Sequence, residues 1–176
     1  IERYLELLIN MIKSEVSIAF NPVKINVKTF FEKLETQGKV ISERKNIQFV
    51  GSKEKNVPEF FHGDEELLYR AIVNVISNAV EYSQEGGKIN FKLGRKNSSI
   101  SFSVEDSGRG FSKEELQLAE EQFYRGDSSR NSKNHYGMGL FIAKSFVRLH
   151  RGCIKLSNSK ITGGALVILE IPFDEF

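Results

Sequence analysis

The chain of 176 residues carries 25 Lys and Arg against 23 Asp and Glu, a formal charge of +2, with 40% hydrophobic and 11% aromatic residues. That balance excludes a disordered chain, which could not assemble a core, and a dedicated nucleic-acid binder, which would be strongly basic. The single cysteine, Cys153, excludes an internal disulfide framework and a multi-cysteine metal site, and reducing cytosol is the simplest setting.

In chain order, Tyr4, Leu5, Leu8, Ile9 and Ile12 recur at helical spacing and predict the end of a helix. The chain opens on Ile1 with neither an initiator methionine nor a secretory signal. It is therefore expected to be a piece of something longer, with a membrane anchor or partner domain upstream. No apolar run approaches the roughly 18–20 residues that span a bilayer. Pro22 breaks the first helix; a second is predicted from Val27, with Phe30, Phe31, Leu34 and Ile41 on one stripe and Gly38 weakening its far end. NIQFVG (46–51) alternates as a strand.

The clearest helix follows Asp64 as N-cap. Glu65 and Glu66 occupy the first turn favoured by the dipole, and Leu68, Ala71, Ile72, Val75, Ile76 and Ala79 give a wide apolar face. Gly86 and Gly87 lie just past its end. KINFKLG (88–94) and SISFSVED (99–106) are alternating strands joined by a polar turn at 96–99. Ser112 and Glu115 form a capping box for a short helix through Leu116 and Ala119. YRGDSSRNSKNHYG (124–137) has no periodicity and reads as a long lid or a disordered loop. A helix is predicted from Leu140 to about His150 with Gly152 as its stop. CIKLSN (153–158) and ALVILEIPF (165–173) close the chain about Thr162, Gly163 and Gly164. The sum is an α+β, two-layer sandwich: one mixed, mostly antiparallel sheet with helices on one face. The glycosylation triplet Asn97, Ser98, Ser99 is read as chance in a cytosolic chain.

Three stretches carry chemistry. Asn74 and Asn78, four apart on the long helix, share a face, and their neutral carbonyl oxygens suit a hard cation such as magnesium. Asp106 opens DSGRG (106–110): a carboxylate there repels phosphate but accepts from an amine, and Gly108 and Gly110 would let a flat ring lie close to the backbone. Gly137 and Gly139 precede a helix whose unpaired N–H groups suit a polyphosphate. Taken singly, each has a plain structural alternative: a solvated stripe, a hairpin turn, a helix start.

Their order is more specific. NVISNAVEY (74–82) resembles the N box, DSGRGF (106–111) the first glycine box, QFYR (122–125) the F box and YGMGLFIAK (136–144) the second glycine box of sensor histidine kinases. TGGALVILEIP (162–172) is similar to the last glycine segment of the same domain. The resemblance covers about residues 21–176, and residues 1–20 resemble the end of the helical dimerisation and phosphoacceptor domain that precedes it.

The resemblance implies a Bergerat-type ATP-binding fold and the catalytic domain of a protein-histidine kinase. It implies Asn78 on magnesium with Asn74 beside it, Asp106 on the adenine amine, and Tyr82 near the ring. Gly108, Gly110, Phe123, Gly137, Met138, Gly139 and Leu140 would line the nucleotide, and Arg125 would reach the terminal phosphate. The implied partners are ATP, a histidine-bearing dimerisation domain and a response regulator, in a dimeric parent anchored in the bacterial cell membrane, with this domain cytoplasmic. Nucleic acid is not among them.

Two departures stand out: Glu81 where the family commonly has lysine, and His135 where it often has glycine. Arg130 and Lys133 are candidates to compensate for the first. Relatives that hydrolyse ATP or phosphorylate serine place a glutamate where this chain has Asn74, which cannot take a proton. An acceptor that is already a nucleophile, such as a neutral imidazole, fits better. His62, His135 and His150 are the only histidines, and each reads as structural or surface. The acceptor is therefore expected upstream, and without it the fragment should bind ATP but not transfer phosphate. The alternatives are a degenerate nucleotide-binding docking module, suggested by Glu81, and an ATPase or serine kinase of the same fold.

Overall fold

The computed structural model describes residues 20–117 and 137–173. Strand β1 (Val23–Asn26) runs straight into helix α1 (Val27–Glu43), because the Asn26 side chain caps it by accepting the Thr29 N–H at 3.0 Å. α1 passes through Gly38 without breaking. The ring of Phe49 fills the missing side chain's place, and a Cβ there would fall 2.6 Å from its Cε1. After β2 (Gln48–Lys53), β3 (Phe60–Gly63) returns antiparallel to β1, with Ile25 opposite Phe61. Neither β1 nor β3 is foreseen from the sequence: at 4 residues each, they are too short to show alternation.

Helix α2 (Glu65–Tyr82) starts as its sequence predicts. Asp64 Oδ1 accepts the Leu67 N–H at 3.1 Å, and its other oxygen takes the Asn21 N–H at 3.0 Å. No basic residue occupies its last turn, so a cation comes from outside: Lys45 Nζ donates to the carbonyls of Val80 and Glu81 at 3.2 and 2.7 Å. That offsets the negative end of the helix dipole.

β4 (Lys88–Lys96), β5 (Ser99–Glu105), β6 (Cys153–Asn158) and β7 (Ala165–Pro172) join β2 in a five-stranded sheet of order β2-β4-β5-β7-β6. β2 is parallel to β4 and the remaining pairs are antiparallel, the mixed sheet expected. Alternation buries Ile100, Phe102 and Val104 of β5 with Val167, Leu169 and Ile171 of β7 on one face. Phe31 stacks on Phe91 at 5.2 Å, Phe91 on Phe102 at 6.4 Å, and Phe30 meets Phe102 edge-on at 6.0 Å. Each such buried ring contributes about 2–3 kcal/mol through the area it removes from water.

Helix α3 (Gly137–Leu149) begins three residues before the predicted Leu140. It ends with Arg151 at φ +55 and the Gly152 N–H on the Val147 carbonyl at 2.9 Å, a Schellman closure. Gly152 follows the helix end, but the left-handed turn that stops the helix is made by Arg151, and the glycine serves close packing: a Cβ would fall 2.9 Å from Ile171 Cδ1. His150 is fully buried, and its Nε2 accepts the Asp64 N–H at 2.8 Å. Nδ1 therefore carries the proton and donates to the Phe146 carbonyl at 2.7 Å. Burial lowers its pKa and keeps it neutral, so His150 is structural. His62 is half-buried on β3, paired opposite Lys24.

Candidate functional site

α2 and α3 lie side by side and run in opposite directions. The start of α2 meets the end of α3 at Asp64 and His150, while Gly139 in the first turn of α3 meets Asn78 near the end of α2. Between them and the sheet lies a pocket. α2 lends Val75, Asn78, Ala79 and Tyr82; β5 and the turn after it lend Val104, Asp106 and Phe111; α3 lends Leu140, and β7 Ala165 and Val167. The lining is apolar except for Asp106, Asn78 and Tyr82.

Asp106 is 4% exposed and held on every side but one. Its Oδ1 accepts the N–H groups of Gly108 at 2.8 Å and Ala165 at 2.9 Å. Its own N–H donates to the Ala165 carbonyl at 2.9 Å, and its carbonyl accepts the Thr162 hydroxyl at 2.7 Å. Among the described residues nothing donates to Oδ2. Burial pushes this carboxyl above the ordinary value, the two backbone N–H groups oppose the shift, and Glu105 adds to it. A buried carboxylate with one oxygen unpaired is an acceptor for a neutral donor, whereas a phosphate would be repelled.

The glycines of this turn also serve the fold itself. A Cβ on Gly108 would fall 2.5 Å from the Tyr82 carbonyl oxygen. Gly110 has φ +71, and its missing Cβ would fall 2.7 Å from the Gly163 carbonyl. Both face protein, and they let the turn wedge between the end of α2 and the 159–164 loop. The Asn158 amide then clamps Phe111, accepting its N–H at 2.7 Å and donating to its carbonyl at 2.8 Å. The predicted capping box forms: the Ser112 N–H reaches Glu115 Oε2 at 2.7 Å and the Glu115 N–H reaches Ser112 Oγ at 3.1 Å. The Arg109 fork on Glu115 is the main cause that lowers the pKa of that carboxyl.

At the other end, Asn78 is half-buried and lines the pocket, and its side chain has no hydrogen-bond partner among the described residues. A Cβ on Gly139 would sit 3.2 Å from its Oδ1, so the glycine lets α3 close on the amide. Gly137 and Gly139 do not precede the helix as predicted; they form its first turn with Met138, whose backbone belongs to α3. Unpaired N–H groups of a helix start thus lie beside Asn78. Asn74 is half-buried but not brought into the lining, and Glu81 is exposed outside it. Phe123, Arg125, Arg130, Lys133 and His135 lie outside the described residues. Among the described residues, no group of three or more His, Cys, Asp or Glu could hold a metal.

Sequence reasoning missed the loop that holds Asp106. Thr162, Gly164 and Ala165 lie more than 50 positions from it in the chain, and the visible signal was the glycine pair before β7. Gly164 in particular has no room for a side chain, which would strike the Asp106 carbonyl.

The chain is similar to known proteins in sequence and in fold. The family described as histidine kinase-, DNA gyrase B-, and HSP90-like ATPase matches residues 63–175. The sensor histidine kinase SpaK of Bacillus subtilis is 39% identical over 172 residues, covering 98% of this chain and 37% of that protein. The sensor histidine kinase YvrG of Bacillus subtilis is 34% identical over 128 residues, 73% of this chain and 22% of its own length. The chain thus spans little more than a third of SpaK and less of YvrG. In three dimensions it is similar to the catalytic domain of histidine kinase ThkA, with a TM-score of 0.70 at 21% identity over 87% of this chain and 97% of that one. Mycobacterial sensor histidine kinase MprB gives a TM-score of 0.64 at 24% identity over 89% and 100%.

Proposed function

This chain belongs to the histidine kinase-, DNA gyrase B-, and HSP90-like ATPase family as the ATP-binding catalytic domain of a sensor histidine kinase, and from that premise we propose how its residues handle the nucleotide. Adenine lies in the apolar pocket between Tyr82 and Leu140, its exocyclic amine donating to Asp106 Oδ2, partly through water. The turn that Gly108 and Gly110 shape brings Asp106 and Phe111 to the pocket wall. The triphosphate runs toward Asn78 and the helix start at Gly137, Met138 and Gly139, where backbone N–H groups and the helix dipole favour an anion.

The Asn78 side-chain oxygen, unpartnered and of the neutral type a hard cation accepts, would hold magnesium, with Asn74 one turn behind it. That ion, when bound, neutralises phosphate charge. By the same family resemblance, Phe123 would line the nucleotide and Arg125 would reach the terminal phosphate. No carboxylate stands at position 74 to activate water, which favours transfer over hydrolysis. The domain presents the γ-phosphate to a neutral imidazole on an upstream dimerisation domain: the nitrogen lone pair forms the N–P bond as the bond to the bridging oxygen breaks and ADP leaves. The phosphate then passes to a response regulator, and the parent is dimeric and membrane-anchored.

One observation carries this reading: a buried carboxylate with a single unpaired oxygen, at the base of an apolar pocket whose far end holds an unpartnered amide against a helix start. Calorimetric titration with ATP, ADP and GTP, with and without magnesium, tests it. ATP and ADP should bind, magnesium should tighten ATP, and GTP should not bind. Equal affinity for GTP would remove the base assignment. Adding the upstream helical domain with labelled ATP should yield phosphohistidine, and its absence would refute transfer.

A further inference from the structure

We propose that Ser159 and Thr162 are positioning residues for Asp106: with Glu105 they form a hydrogen-bonded thread that holds the base end of the pocket from the opposite face of the sheet. This rests on Asp106 being the base acceptor. Glu105 and Asp106 are neighbours in the chain but point to opposite faces, so no direct contact joins their side chains. The link runs around through the 159–164 loop instead.

It starts on the open face, where Asn90 of β4 stands opposite Glu105 and donates Nδ2–H to its Oε2 at 2.9 Å. Glu105 Oε1 accepts the Ser159 hydroxyl. Ser159 Oγ, its one hydrogen so committed, accepts the N–H groups of Ile161 at 3.0 Å and Thr162 at 3.1 Å. Thr162 Oγ1 accepts the Gly164 N–H at 3.2 Å and donates to the Asp106 carbonyl at 2.7 Å. The Ala165 N–H, next in the chain, lands on Asp106 Oδ1 at 2.9 Å. Donation therefore has a fixed direction at each hydroxyl, and removing either leaves neighbouring N–H groups without their acceptor.

Apolar packing does not hold the loop's tip. Ile161 there is 90% exposed, whereas the polar Ser159 is 7% exposed. Two backbone bonds, from the Ser159 N–H to the Gly164 carbonyl at 2.8 Å and from the Gly163 N–H to the Ser159 carbonyl at 3.0 Å, close the loop, and the hydroxyls tie it to Glu105 and Asp106.

The test titrates an ATP analogue against wild type, Thr162→Val and Thr162→Ser, from neutral pH down into the carboxylate range. Losing one such bond should weaken Thr162→Val about tenfold. It should also move the acid limb of binding upward, because the Ala165 N–H no longer steadies the ionised Asp106. Thr162→Ser should restore both. Glu105→Ala, on the far face, should weaken binding about threefold at neutral pH; it is read there alone, since removing the charge of Glu105 lowers the Asp106 pKa. Wild-type affinity in Thr162→Val, or an affinity loss with the acid limb unmoved, would overturn the proposal. If Thr162→Val does not fold, Glu105→Ala decides, and unchanged affinity overturns it. A wild-type protein that binds no adenine nucleotide would overturn the base assignment itself, and this inference with it.

Discussion

The two ends of the pocket are built on opposite plans. At the base end, the turn from Asp106 to Phe111 is fastened by the 159–164 loop, the Asn158 clamp and β7, and one carboxylate oxygen is left over. At the phosphate end, the side chains of Asn78 and Asn74 make no hydrogen bonds to the described residues, and α3 begins with two glycines. A flat, neutral ring has few polar groups with which to order a site, so the fold must fix the acceptor before it arrives. A polyphosphate brings strong charge and can organise loosely held donors itself. Rigidity sits where the ligand is weakest as an organiser.

Asp106→Asn tests the rigid end and should have the largest effect, about a hundredfold loss of ATP affinity, since a charged hydrogen bond is lost and an N–H group faces the amine. The asparagine oxygen still accepts from Gly108 and Ala165, so the melting temperature should hold; tight binding by this variant would break the contrast. pH sharpens it. Because burial raises the Asp106 pKa, the folded protein keeps a proton that the unfolded chain has released. Stability from this group therefore falls as pH rises from the unfolded value to the raised one, while nucleotide binding grows over the same window. Asp106→Asn should flatten both slopes.

Asn78→Ala probes the open end. Magnesium should no longer improve ATP binding, about a tenfold loss in its presence and little in its absence. Retained magnesium dependence would place the metal elsewhere. Gly139→Ala should be milder: the added methyl presses on Asn78 Oδ1 while helix propensity improves by up to about 1 kcal/mol. Thermal stability should hold or rise as the magnesium benefit drops about threefold. An unchanged magnesium benefit would show that the fit of α3 on the amide is immaterial.

His150 gives the smallest effect. Burial lowers its folded pKa, so below the unfolded value of 6.5 the unfolded chain takes up protons that the folded one refuses. Stability should decline as pH falls through that value, and His150→Gln should lose this slope; its side-chain oxygen can still accept the Asp64 N–H, so the join to α2 is kept and ATP should bind as in wild type.

The same contrast governs what could be read from the sequence. α2, its Asp64 cap, the alternating strands β4, β5 and β7 and the Ser112–Glu115 box were legible because each is a local pattern within one element. β1 and β3 were not, since their pairing joins residues about 40 positions apart. The glycines were seen, but their neighbours were not. Gly38 accommodates Phe49, Gly108 the Tyr82 carbonyl and Gly110 the 159–164 loop, and no spacing rule predicts these contacts. The start of α3 at Gly137 was missed because glycine's low helix propensity argues against it, and the fit against Asn78 outweighs that preference. The acceptor Asp106 was legible as a carboxylate where a strand ends, whereas its holders Thr162 and Asn158 lie far off in the chain.

The bond from the Asp64 backbone to the ring of His150 has a mechanical consequence. It joins α2 and α3 like the rivet of a pair of tweezers, and the tips, Asn78 and Gly139, stand about 20 Å away at 1.5 Å per residue. Over that arm a tilt of roughly 5° shifts the tip by about 2 Å, comparable to the radius of an oxygen atom plus a few tenths. One buried ring therefore sets the fulcrum for how far the jaws can part.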